Sequence, residues 1–256
     1  MAMIHEQFQD RVLEIRMNFG DNNTFTPEAF AAMDTALSQA AARADIRVLI
    51  LASDLPDAFS NGLNPHSVHG RSESEIEKLI EHFFGVLRKI YQFPVPVISA
   101  VNGHAIGYGA MLALVSDFRI FVDKGARMSY PELNIGISLP VFITLLLQEL
   151  VGVRTTRDLL YTGLAPKPPE ALALGLVDEL VEKEKLMDRA RALAKKLAAL
   201  PRDAVRSQKQ ITRYNIDSRL DTILQKDMAA TRGLLTSAEA REGVAAMVEK
   251  RRPKFD

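Results

Sequence analysis

Apolar residues along the chain follow two alternating spacings. Leu13, Ile15 and Met17 alternate with Glu14 and Arg16, the two-residue period of a half-buried strand. Thr26-Pro27-Glu28 then supplies an N-cap, a proline at the first helical position and early negative charge, which predicts a helix over 27–42. Val48 to Ala52 is apolar throughout and of strand length, as expected for a strand covered on both faces. Ser53 to Ser67, with two prolines, Asn61-Gly62 and Asn64, reads as a loop. From Ser74 to Tyr91 the residues Ile76, Leu79, Ile80, Phe83, Phe84 and Leu87 recur at helical spacing. Pro94 then stops the helix before an apolar strand from Val95 to Val101.

The same order returns downstream. A glycine-punctuated turn from Asn102 to Gly109 leads into a short helix ending near Val115 and a strand from Phe118 to Val122. Met128 to Ile137 reads as strand and turn, Pro140 opens a helix through Leu150, and Gly152 is placed to end it. Leu176 to Val181 is the last expected strand. From Lys183 onward the period is helical, with breaks at Pro201 and at Asn215 to Asp217. The pattern predicts an α/β body of roughly 200 residues followed by a helical layer.

Composition narrows the function. Lys plus Arg and Asp plus Glu each total 32, so no global basic field draws nucleic acid or an anionic membrane, and an anionic ligand must be held locally. The absence of cysteine excludes disulfides, thiolate metal sites and a thiol nucleophile. Residues Met1 to Asp10 carry His5, Glu6 and Asp10 and no apolar run, unlike a signal or transit peptide, and no stretch approaches the roughly 20 residues that span a bilayer. The Lys254-Phe255-Asp256 ending is not a peroxisomal address. A cytoplasmic protein without a membrane partner is expected.

Two loops, each after a buried strand, carry the candidate chemistry. They are Ala58-Phe59-Ser60-Asn61-Gly62-Leu63-Asn64 and Asn102-Gly103-His104-Ala105-Ile106-Gly107-Tyr108-Gly109-Ala110-Met111. In the second, glycines free the backbone and a helix begins at once, which leaves amides near Tyr108 at a helix N-terminus able to stabilise an oxyanion. Neither the dinucleotide fingerprint nor a P-loop lysine is present, there is no His-Glu-x-x-His or other metal spacing, and Ser60 lacks the nucleophile elbow. His66 and His69 fall in the loop after the first motif, as solvated residues or as substrate contacts, and His104 is read as packing in a turn. Met17, Met111 and Met128 read as core or pocket lining.

The two loops together resemble the paired signatures of the crotonase, or enoyl-CoA hydratase/isomerase, superfamily. Pro131-Glu132-Leu133-x-Ile135-Gly136 resembles its third motif, and Pro169-Glu170-Ala171-Leu172-x-x-Gly175-Leu176-Val177-Asp178 and Glu249-Lys250-Arg251-Arg252-Pro253-x-Phe255 extend the likeness over nearly the whole chain. The resemblance implies a crotonase-like spiral of ββα units, with residues 1–200 as the core carrying the active site and 201–256 as a helical trimerisation region. It implies an acyl-CoA thioester as substrate, with coenzyme A entering as part of it and no separate cofactor or metal, and a homotrimer or a hexamer built as a dimer of trimers.

By the same resemblance the backbone amides of Leu63 and Tyr108 form the oxyanion hole. Asn23, Phe25, Ala58, Ser60, Asn61, Gly62, Gly107, Met111 and Leu133 are the expected CoA and substrate contacts. Lys250, Arg251 and Arg252, of this chain or of a neighbouring subunit, are candidates for the CoA phosphates. Two amides facing an enolate oxygen in a dry site contribute about 3–4 kcal/mol each. Tyr108 replaces the family's usual glycine, so its side chain has to point away or shape the acyl pocket. Asn61 and Asn64 replace the usual alanine and aspartate.

The carboxylates set the expected reaction. Hydratases of the family use two glutamates; here the first position is Met111 and the second, Glu132, is retained. One carboxylate beside an oxyanion hole suits a proton shuttle, as in the Δ3,Δ2-enoyl-CoA isomerases, which Leu63 and Leu139-Pro140 also resemble. Family branches with a second acid eight residues beyond Glu132 lose support, because Pro140 stands there. Three alternatives stay open: residual hydratase activity, acyl-CoA decarboxylation, and a catalytically silent CoA-binding subunit.

Overall fold

The computed structural model describes residues 2–255 and every side chain among them except that of Asp21; Met1 and Asp256, the outer ends of the two regions read from the sequence, lie outside. β1 (Ile4–Gln9) pairs antiparallel with β2 (Val12–Met17). The hairpin turn is Asp10-Arg11, both with positive φ (51° and 67°), the left-handed pair that matches the twist of the flanking strands. β1 gives no sequence signal because His5, Glu6, Gln7 and Gln9 leave it polar and exposed. The reading of β2 as half-buried is corrected. Glu14 on its polar side is buried as well, held by the Arg191 guanidinium at 2.6 and 3.0 Å.

A spiral follows. After α1 (Pro27–Ala42), capped by Thr26 as expected, β3 (Val48–Ser53) leads to the short β4 (Ala58–Ser60) and then α2 (Glu73–Tyr91). β5 (Val97–Val101) leads to β6 (His104–Ile106) and α3 (Tyr108–Leu114). β7 (Phe118–Val122) leads to β8 (Met128–Ser129) and α4 (Val141–Thr162). Each turn is thus a ββα unit. The longer strands join β1 and β2 in a six-stranded sheet, ordered β1-β2-β3-β5-β7-β9 and parallel beyond the first pair, while β4, β6 and β8 form a second, parallel three-stranded sheet. β3 and β5 are buried at every position, which is why their sequences are apolar without alternation.

α5 (Pro168–Ala173) and β9 (Glu179–Val181) close the sheet. The helices α6 (Leu186–Ala198), α7 (Arg202–Thr212), α8 (Tyr214–Asp217), α9 (Leu220–Leu235) and α10 (Ala238–Val248) complete the chain. Several boundaries differ from expectation, beginning with β5 and β9, which start at Val97 and Glu179 inside the apolar runs expected from Val95 and Leu176. The loop 53–67 contains β4 and a 3-10 turn, too short to leave a periodic signal. Gly152, expected to end α4, only kinks it: its backbone turns to φ 80°, ψ 161° and the helix resumes to Thr162. Asn215 to Asp217 is a helical turn, and the break follows it, at Ser218 and Arg219. Among the described residues no helix is long and apolar enough to cross a membrane.

Candidate active site

The second, three-stranded sheet places both candidate loops side by side. Asn23 is fully buried; its amide nitrogen donates to Ser53 Oγ (2.8 Å), the Phe59 carbonyl (3.1 Å) and the Met17 carbonyl (3.3 Å), and its oxygen accepts from the Phe19 N–H (2.7 Å). Ser60 Oγ donates to the Asn23 carbonyl (2.7 Å) and accepts from the Gly62 N–H (3.1 Å). The next segment is stitched to Phe25, whose N–H donates to the Gly62 carbonyl (2.8 Å) and whose carbonyl accepts from the Asn64 N–H (3.0 Å). Because successive amides in an extended segment face opposite edges, the Leu63 N–H is turned the other way, and it donates no hydrogen bond among the described residues.

The second amide arrives from β6. Gly107, at φ 53°, caps α3, so Tyr108 is the first helical residue and its N–H lacks an intrahelical acceptor. Two glycines permit the close approach. A Cβ on Gly62 would lie 2.7 Å from the Ile106 carbonyl oxygen and 3.1 Å from the Tyr108 nitrogen, and one on Gly109 would overlap the Ser60 carbonyl. The Tyr108 ring points away from this amide, into Phe25, Phe30 and Phe83 at centroid distances of 4.9, 5.1 and 4.4 Å. Its hydroxyl donates to the Phe83 carbonyl (2.9 Å), and burial holds its pKa well above the ordinary value, which removes it from proton transfer.

Glu132 begins a 3-10 turn, Glu132–Ile135, that Gly136 ends in the left-handed region (φ 72°). Its Oε1 would lie 3.1 Å from a Cβ on Gly107, which places the carboxyl at the mouth of the second loop. Oε2 is buried without a hydrogen-bond partner among the described residues, and burial in apolar surroundings pushes the carboxyl up to about 7, outweighing a backbone hydrogen bond that favours the ionised form. A cavity of about 340 Å³ runs from these groups between α2, α9 and α10. Asn61, Gly62, Leu63, Gly107, Tyr108, Met111 and Glu132 are all in its lining, Met111 as part of the apolar wall.

Asn23, Phe25, Ala58 and Ser60 are not brought to the cavity; they are buried behind it and shape the loop. Leu133 points outward, 43% exposed, because the 3-10 turn puts neighbouring side chains about a third of a turn apart. His66 is exposed, and His69 lies at a different cavity. Arg251, a candidate for phosphate, is already held by Glu242 (2.5 and 2.8 Å) and Glu249 (2.5 Å). The sequence reading missed the walls from Leu79, Ile80 and Phe83 on α2 and from Thr231, Leu235, Val244 and Met247 on the last two helices. Their helical period was visible, but not which face turns inward.

Two loop amides at one cavity, a buried carboxyl held toward its neutral form and apolar walls are the ingredients of a site that could stabilise an oxyanion next to a proton-transfer group. The chain belongs to the enoyl-CoA hydratase/isomerase family, whose model matches residues 7–256. It is 28% identical over 235 residues to a short-chain-enoyl-CoA hydratase of Clostridium acetobutylicum (90% of this chain, 88% of the relative). It is 28% identical over 209 residues to an enoyl-CoA isomerase/hydratase of Mycosarcoma maydis (82% and 76%). The crystal structure of human mitochondrial delta3-delta2-enoyl-CoA isomerase superposes with a TM-score of 0.92 at 24% identity, covering 97% of this chain and 98% of that one, a likeness of fold.

Proposed function

We propose that the protein shifts the double bond of a 3-enoyl-CoA to the conjugated 2-position. The observation that carries this reading is that Glu132 is the one carboxyl lining the cavity among the described residues, with apolar Met111 in the same lining at the position where the family resemblance expects a second acid. Ionised Glu132 removes a proton from C2. The electron pair moves into a dienolate whose oxygen accepts from the Leu63 and Tyr108 amides. The protonated carboxyl then returns the proton at C4, leaving the double bond between C2 and C3. No water or redox partner is consumed. A carboxyl near 7 suits both halves, since it is basic enough to take the proton and acidic enough to give it back.

A spectrophotometric assay with a 3-enoyl-CoA, following the conjugated thioester, tests this. Glu132→Gln is expected to bind acyl-CoA and to lose at least about a hundredfold in rate; equal turnover by both proteins would refute the role of Glu132.

One observation favours a second reading, hydration of a 2-enoyl-CoA. Asn61 Oδ1 and Glu132 Oε2 are both buried acceptors without a partner at the same cavity, and each could be satisfied by a bound water. Formation of 3-hydroxyacyl-CoA from a 2-enoyl-CoA would support it.

A further inference from the structure

The apolar cavity ends against a second one. A separate space of about 500 Å³ adjoins it, lined by the polar and charged His69, Arg71, Glu73 and Arg241 and by the apolar Ile76 and Ala245 among others. Val68, Leu235 and Val244 line both cavities, so these three side chains stand where the two meet. All three are buried, at 7%, 6% and 4% exposure.

The wall is anchored on each side. Val68 closes the 3-10 turn Pro65–Ser67 with its N–H on the Pro65 carbonyl (3.1 Å). Leu235 is the last residue of α9. Val244 follows Gly243, whose backbone sits so close to the Ile135 carbonyl that a Cβ there would overlap it. Gly136 makes a similarly close approach to Glu239. α10 is therefore seated directly on the turn that carries Glu132, and Val244 has little room to retreat from an advancing ligand.

On the reading that the cavity takes an acyl-CoA, we propose that Val68, Leu235 and Val244 form a terminal wall that sets the length of the acyl chain. The pocket between Glu132 and this wall admits straight aliphatic acyl groups up to the wall. A longer chain must displace a buried side chain to reach the second cavity, where its end would meet charged residues.

Calorimetric titration with saturated butyryl-, hexanoyl-, octanoyl-, decanoyl-, dodecanoyl- and palmitoyl-CoA reads this without any turnover. In the wild-type protein affinity is expected to rise about fourfold per added methylene, the gain for burying one in an apolar site, and then to stop rising at one chain length. Val244→Ala, Leu235→Ala and Val68→Ala, each checked for folding by circular dichroism, open the wall from different sides, and each folded variant is expected to move that break to a longer chain. An unbroken rise in the wild type, or the same break in every folded variant, would overturn the wall. Binding of no acyl-CoA at all would overturn both the wall and the acyl-CoA reading. The expected binding profile without conversion of a 3-enoyl-CoA would retire the isomerase reading alone.

Discussion

On the proposed isomerisation, Glu132 is stabilised in the form that cannot start the reaction. Burial favours its neutral carboxyl and no donor satisfies Oε2, whereas removal of a C2 proton needs the carboxylate. Two consequences follow for pH. The base is the ionised form, so kcat/KM for isomerisation is expected to rise as pH increases through about 7, a limb that Glu132→Gln should lack. For stability the sign is opposite. The unfolded chain releases this proton near the ordinary 4.5 and the folded chain near 7, so the folded state binds more protons between them. The stabilisation is complete below about 4.5 and lost as pH rises through about 7, a ceiling of about 3 kcal/mol at 1.36 kcal/mol per unit. Urea denaturation at pH 5 and pH 8 checks it. Glu132→Gln, which cannot ionise, is expected to gain stability relative to wild type between the two pH values; parallel behaviour would mean that the carboxyl is well solvated.

At the scale of elements, the site depends on helices that carry none of its chemistry. α4 leaves its early amides unsatisfied by its own turns, and Asp227 of α9 reaches across to accept from the Val141 and Phe142 N–H groups, both at 2.8 Å. Asp227 is 3% exposed; desolvation raises its pKa, while the two amides pull the other way. Asp227→Ala is expected to cost about 1–3 kcal/mol, the penalty for leaving buried donors unpaired, measured by urea denaturation, and to raise KM by loosening the α9 wall of the acyl cavity. Asp227→Asn, which keeps one acceptor, should recover part of both. This contact is also where sequence reading stops. The central strands and α1 were legible because burial on both faces and a capped helical period leave local marks. The close approach of the two loops was legible because glycines mark places where backbones must nearly touch, while the roles expected of Leu63, Tyr108 and Glu132 came from the family resemblance. β4, β6 and β8, of two or three residues each, are too short for any period to register, and they exist because neighbouring turns of the spiral pair. The helical walls of the cavity and the Asp227 bridge join residues more than eighty positions apart, and nothing local encodes such a meeting.

For the whole molecule, the same C-terminal helices face two ways. Inward, α9 and α10 complete the cavity, and the end of α7 is pinned to the sheet by Asp117, which takes Lys209 and the following Arg213 at 2.7 Å each while accepting from the Val97 N–H at 2.7 Å. Outward they leave large apolar side chains in water: Ile211 is 64% exposed and Tyr214 71%, and on α4 Val153 and Tyr161 reach 67% and 78%. Ile211, near the end of α7, and Tyr214, at the start of α8, stand on either side of the non-helical Arg213 and leave exposed apolar surface at this junction. Burying it against further copies of the chain is the arrangement that the family resemblance leads one to expect, and closed symmetry would let one patch serve every subunit. Light scattering on the purified protein is therefore expected to give three or six times the 28.4 kDa chain mass. The double substitution Ile211→Lys with Tyr214→Lys places charge where such an interface would be dry and is expected to lower that mass while leaving helical content unchanged. Because the cavity walls from α2, α9 and α10 come from a single chain, the dissociated protein should still bind acyl-CoA. A loss of binding on dissociation would mean that a neighbouring subunit supplies part of the site, with the basic residues Lys250 and Arg252 the first to test for that contribution.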